Sequence, residues 1–106
     1  MAWILLLVAG LFEVVWAYYM KQSSGFTLVK PTLITISTMI VSLLLLSLAM
    51  RTLPLGTAYT VWTGIGAIGT FAVGVAVLGE PASAMRLAAA ALIVGGLTLM
   101  RLSTAQ

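Results

Sequence analysis

Apolar residues in this chain come in four long runs separated by short polar or proline-bearing breaks. The first goes from Trp3 to Met20, interrupted only by Glu13, and ends in Lys21, Gln22, Ser23, Ser24 and Gly25. A second opens at Pro31 and continues to Met50, followed by Arg51 and Pro54; a third extends from Leu55 to Leu78, ahead of Gly79, Glu80 and Pro81. The fourth occupies Ala82 to Met100 and closes at Arg101 and a polar tail. Proline is tolerated at the start of a helix and costly in its interior, so the three prolines punctuate the runs rather than interrupt them.

A helix needs about 20 apolar residues to cross the hydrocarbon core. The pattern therefore predicts an all-α membrane protein, a single domain over residues 1–106, with transmembrane helices at approximately 3–20, 31–50, 55–78 and 82–100. Arg86 and Arg101 have only 14 residues between them. The last helix thus spans the bilayer only if it starts upstream of Arg86 and that side chain snorkels to the surface. The first run is read as a span rather than a cleaved leader, because it lacks a basic start and carries a carboxylate.

Composition narrows the chemistry. Hydrophobic residues make up 62% of the chain and charged ones 7%, against about 25% charged in ordinary globular domains. There is no His, Cys or Asp, and the only carboxylate side chains are Glu13 and Glu80. Disulfides, thiolate or imidazole metal sites and Ser-His or Cys-His catalysis lack their residues, so neither an enzyme nor a cofactor is expected. The cations Lys21, Lys30, Arg51, Arg86 and Arg101 stand singly, which suits lipid headgroups and not nucleic acid. With four crossings, Arg51 and Arg101 share one side and Lys21, Lys30 and Arg86 the other. Two against three sets no strong orientation. That balance is either chance in a small protein or a sign that the chain inserts both ways and pairs with an inverted copy of itself.

Glu13 lies about ten residues into the first helix, roughly 15 Å from its start and near the bilayer midplane. A carboxylate there costs a few kcal/mol, and such residues face a bundle interior or aqueous cavity and mark an ion or substrate path. The alternative is a permanently protonated side chain bonded to a neighbour. Helical spacing puts Ala9, Gly10, Trp16, Ala17 and Met20 around Glu13, with Gly10 and Ala17 opening space. In the second span Ser42 falls near mid-depth, where its hydroxyl could orient a carboxylate, whereas Thr35 and Thr38 read as back-bonded to their own helix. Tyr59 and Trp62 are three apart in the third span, with Thr63 and Gly66 continuing the stripe, so both rings are expected to face one cavity; Trp3 reads as an interfacial belt residue. Gly64 and Gly66, with Gly69 and Gly74, permit a bend and close contact, making this helix a candidate gate. In the fourth span Ala84, Ala88, Ala91 and Gly95 have the small-xxx-small spacing of helix packing, expected here between subunits. Four short helices cannot enclose a substrate and also open to two sides; a dimer could, and would bring two Glu13 side chains together.

The residues also resemble a family. Gly-Leu-Phe-Glu-Val-Val-Trp-Ala at 10–17, Lys21 followed by Ser24-Gly-Phe-Thr27, and Leu-Pro-Leu-Gly-Thr-Ala-Tyr-Thr-Val-Trp-Thr-Gly-Ile-Gly-Ala at 53–67 look like the small multidrug resistance transporters, and more closely their guanidinium-exporter subtype. Tyr18-Tyr19 departs from that pattern. The resemblance implies an antiparallel homodimer in the bacterial inner membrane that exchanges a cytoplasmic cation for protons. Glu13 would be the shared ligand for proton and substrate. Trp16, Ser42 and Trp62 would hold its carboxylate by hydrogen bonds, Tyr59 would line the site, and Gly10 would give clearance.

Physics supplies separate reasons for guanidinium: it is planar, its donors match a carboxylate, and its face stacks on indole or phenol rings. The alternative on the same fold is export of quaternary ammonium or other hydrophobic drug cations. A different class, a structural or regulatory membrane subunit, would leave the cluster of Glu13, Ser42, Tyr59 and Trp62 unexplained.

Overall fold

A computed structural model describes residues 1–103. It contains four helices: α1 (Ala2–Gln22), α2 (Val29–Ala49), α3 (Leu55–Ala76) and α4 (Ala84–Ser103). All four are long and apolar enough to cross a membrane. α1 runs past its apolar stretch, because Lys21 and Gln22 are good helix formers that can continue the ladder while reaching the interface. α3 stops at Ala76, before the apolar run ends at Leu78. The chain then turns through Gly79, whose φ of 71° suits glycine. Pro31 falls in the first turn of α2, Pro54 caps α3, and Pro81 lies in the link to α4. α4 begins two residues before Arg86, which places that side chain in the first turn. There it approaches Glu80 at 3.6 Å and lies over the ring of Phe71. Glu80 is thus partly exposed and paired, with its backbone N–H donating to the Gly74 carbonyl.

The α1–α2 turn is held by Ser23, whose buried hydroxyl donates to the Met20 carbonyl at 2.7 Å and accepts from the Phe26 N–H at 3.0 Å. α1 packs on α2 and α3, while α4 packs chiefly on α3 and meets α1 where Arg101 lies over the Trp3 ring. The core is Leu6 and Ala9 of α1, Leu46 and Ala49 of α2, and Ala58, Val61 and Trp62 of α3. No described residue of α4 is fully buried. The fold measures 44 × 35 × 16 Å. Its shortest dimension is little more than one helix diameter of about 10–12 Å, so one chain is a slab of helices and not a closed bundle.

Glycines let α1 and α3 approach closely. A β-carbon on Gly10 would strike Ile65, one on Gly66 would strike the Glu13 carboxyl group, and one on Gly69 would strike Val14. The seam interlocks, with a side chain of each helix seated on a glycine of the other.

Candidate functional site

Glu13 is the twelfth of the 21 residues of α1, so it stands at mid-helix. Its side chain lies across α3 at Gly66. The residue as a whole is half-buried, yet its Oε1 is buried and has no hydrogen-bond partner among the described residues. One turn on, the buried Nε1 of Trp16 has none either. A buried polar atom without a partner costs free energy, and hydrogen bonding removes that cost. α1 therefore carries two buried side-chain groups, one acceptor and one donor, that have no partner among the described residues.

Ser42 and Trp62 are occupied. Fully buried Ser42 of α2 donates its hydroxyl proton to the carbonyl of Ala9 at 2.8 Å, and the indole N–H of Trp62 from α3 donates to Ser42 Oγ at 2.9 Å. Ala9 is one helical turn before Glu13, and its carbonyl is also the acceptor that the α-helix ladder assigns to the Glu13 N–H. This corrects the expectation that Ser42 and Trp62 bond to the Glu13 carboxylate. Each has a single proton to donate, and both are engaged one turn below it. They fix the backbone on which Glu13 rides, joining three helices at one point.

Three other expectations change in the same way. Gly10 is filled by Ile65 and so provides contact instead of clearance. Gly64 receives Leu97 of α4 and Gly66 receives Glu13, within an α3 that runs unbroken from Leu55 to Ala76. Tyr59 and Trp62 are neighbours, with ring centroids 5.4 Å apart. They do not share one cavity in a single chain: Trp62 is buried, while Tyr59 is 53% exposed. Tyr59 borders a groove of about 550 Å³ between α3 and α4, with Thr63, Gly96 and Met100 also on its walls.

Thr35 and Thr38 bond back to the Pro31 and Ile34 carbonyls at 2.8 and 2.7 Å, as hydroxyls in membrane helices do. Ala88, Ala91 and Gly95 are exposed, and nothing lies within 4 Å of a β-carbon on Gly95. That stripe is open to contacts from outside the chain. Tyr18 and Tyr19 meet edge to face at 5.2 Å and border a separate groove with Val14 and Val73. The residue that pattern reasoning undervalued is Gly66. Its place on the Tyr59–Trp62–Thr63 stripe was visible, but its contact with Glu13 depends on how α1 and α3 are rotated.

Comparison with known proteins settles the kinship. The family model described as Small Multidrug Resistance protein matches residues 1–93. The chain belongs to this family. Among its relatives, a protein named Guanidinium exporter from Citrobacter freundii is 58% identical over 104 residues, covering 98% of this chain and 99% of the relative. A Guanidinium exporter from Salmonella typhimurium matches to the same extent. The Guanidinium exporter of Escherichia coli (strain K12) is 55% identical over the same length. As a small multidrug resistance protein with four membrane-capable helices, the chain is a multi-pass protein of the inner membrane.

Proposed function

We propose that this protein exports guanidinium ion and small substituted guanidinium compounds in exchange for protons. Residues 1–106 act as one transmembrane domain, and two copies assemble as an antiparallel homodimer. Protons and substrate compete for the paired Glu13 carboxylates, and only a neutralised or occupied site crosses between inward- and outward-facing states. The observation that carries this reading is the buried Glu13 oxygen at mid-helix, without a partner among the described residues, in a chain whose relatives at 55–58% identity are named guanidinium exporters.

The chemistry of the residues supports the roles. Guanidinium offers a planar fork of donors to a carboxylate. Trp16, with its indole N–H unused among the described residues, is the donor that steadies the carboxylate when substrate is absent. Ser42 and Trp62 hold the α1 backbone through Ala9, and Tyr59, beside Trp62, offers a half-exposed ring face. A protein slab 16 Å thick cannot surround a cation, which favours a second copy completing the cavity. Gly64 and Gly66 let Leu97 and Glu13 pack closely on α3. Ala88, Ala91 and Gly95, unfilled within the chain, supply the α4 contact between copies. A bare pair of carboxylates in a closed site carries a desolvation cost that discourages empty crossing, which couples the two fluxes.

The test is transport by the purified protein in liposomes. Guanidinium added to one side should drive proton movement across the membrane, and excess tetraalkylammonium should compete poorly. Strong competition by tetraalkylammonium would assign the protein to drug cations, and no proton movement with either cation would refute exchange.

A further inference from the structure

Five cationic side chains share two side-chain carboxylates in this sequence. Glu13 is at mid-helix, and Glu80 meets Arg86 at 3.6 Å. Arg101 has no carboxylate partner among the described residues. Its guanidinium lies 4.6 Å from the centroid of the Trp3 ring. Stacking uses the face of a guanidinium and leaves the N–H donors on its edge, which is the edge that grips a phosphate in two-point fashion.

The pair stands at the head of a cleft of about 300 Å³, lined by Trp3, Ile65, Leu97, Thr98 and Arg101 among others. Trp3 is at the N-terminal end of α1 and Arg101 at the C-terminal end of α4, so both belong to one membrane face. Ile65, in the middle of α3, and Leu97 lie toward the bilayer interior. The Thr98 hydroxyl turns back onto the Val94 carbonyl at 3.0 Å, so its proton is not offered to the cleft. A fixed cation at the surface with an apolar slot running inward from it is complementary to an anionic head carrying an acyl chain. A free anion would leave the slot empty, and a cationic substrate would meet Arg101 as a like charge.

We propose that the Arg101–Trp3 cleft binds one anionic phospholipid, with its phosphate on the Arg101 guanidinium and an acyl chain along Ile65 and Leu97. The site is separate from Glu13 and does not depend on which cation is transported.

The experiment reconstitutes the full chain in phosphatidylcholine vesicles containing a trace of spin-labelled phosphatidylglycerol or spin-labelled phosphatidylcholine, and measures the protein-bound fraction of each label. The unaltered chain should prefer the phosphatidylglycerol label about fivefold, the contribution of one interfacial cation. Arg101→Gln should abolish the preference, and Arg101→Lys should retain part of it by keeping charge without the fork. Arg51→Gln, which removes a cation from the same face, should leave it intact. An equal loss in Arg51→Gln would show diffuse surface charge and overturn the site, as would no preference in the unaltered chain. Displacement of the lipid label by inorganic phosphate alone would overturn the acyl-chain contact. Copy-to-copy cross-linking of Leu102→Cys together with no lipid preference would assign the cleft to a second copy and overturn the proposal.

Discussion

Gly66 of α3 is the glycine at which a single added methyl group would collide with the Glu13 carboxyl group of α1. The two helices could not keep both this spacing and this carboxyl position with any larger residue there. Because the carboxyl is the far end of a flexible side chain, it would swing aside before the helices separated. Gly66→Ala should therefore unfold only slightly more easily, by about 1 kcal/mol, yet bind guanidinium up to about 100-fold more weakly, the order of loss expected from misplacing a reacting group by 1 Å. Gly69→Ala, which meets Val14 in the same seam, should spare binding. Isothermal binding measurements on the two variants separate positioning from packing, and equal losses in both would show that packing alone is at stake.

The Ala9–Ser42–Trp62 chain makes a second prediction. Ser42→Ala leaves the Trp62 N–H buried without an acceptor, whereas Trp62→Phe leaves Ser42 still bonded to Ala9. Ser42→Ala should accordingly be the more destabilising, by about 1–2 kcal/mol in detergent unfolding. The double variant should lose less than the sum of the single losses. Additive losses would mean that the two side chains act independently.

Competition at one carboxylate fixes the sign of the pH dependence. Protonation removes the anion that guanidinium needs, so affinity falls as pH falls, approaching about tenfold per pH unit for each competing proton. Affinity flat across the titration would show that proton and cation do not share a ligand.

Orientation is open to a direct experiment. Reporters appended to the C-terminus should be found on both sides of the membrane, as the near-even split of cations predicts. A single location would require a different, oppositely inserted partner chain.

The helices were legible because a bilayer imposes long apolar runs and proline marks their starts. Their ends were less so, since Lys21 and Gln22 extend α1 and the glycine turn at Gly79 follows an α3 already ended at Ala76. Glu13, Ser42 and Trp62 stood out singly as polar or aromatic groups at depth. Their partners did not. A hydroxyl or indole proton chooses among acceptors by the relative rotation of helices, which periodicity within one helix does not encode, and here the choice was the Ala9 carbonyl. Glycine is ambiguous for a related reason: a bend and a close contact need the same residue, and at Gly10, Gly64 and Gly66 the structure uses the contact.

Everything in the transport account passes through one side chain. Glu13→Gln keeps the shape and removes the exchangeable charge. In liposomes with an imposed guanidinium gradient, the unaltered protein should move protons against that gradient's flow, and the variant should move none while remaining folded and inserted. Unimpaired guanidinium-dependent proton movement in Glu13→Gln would contradict the account.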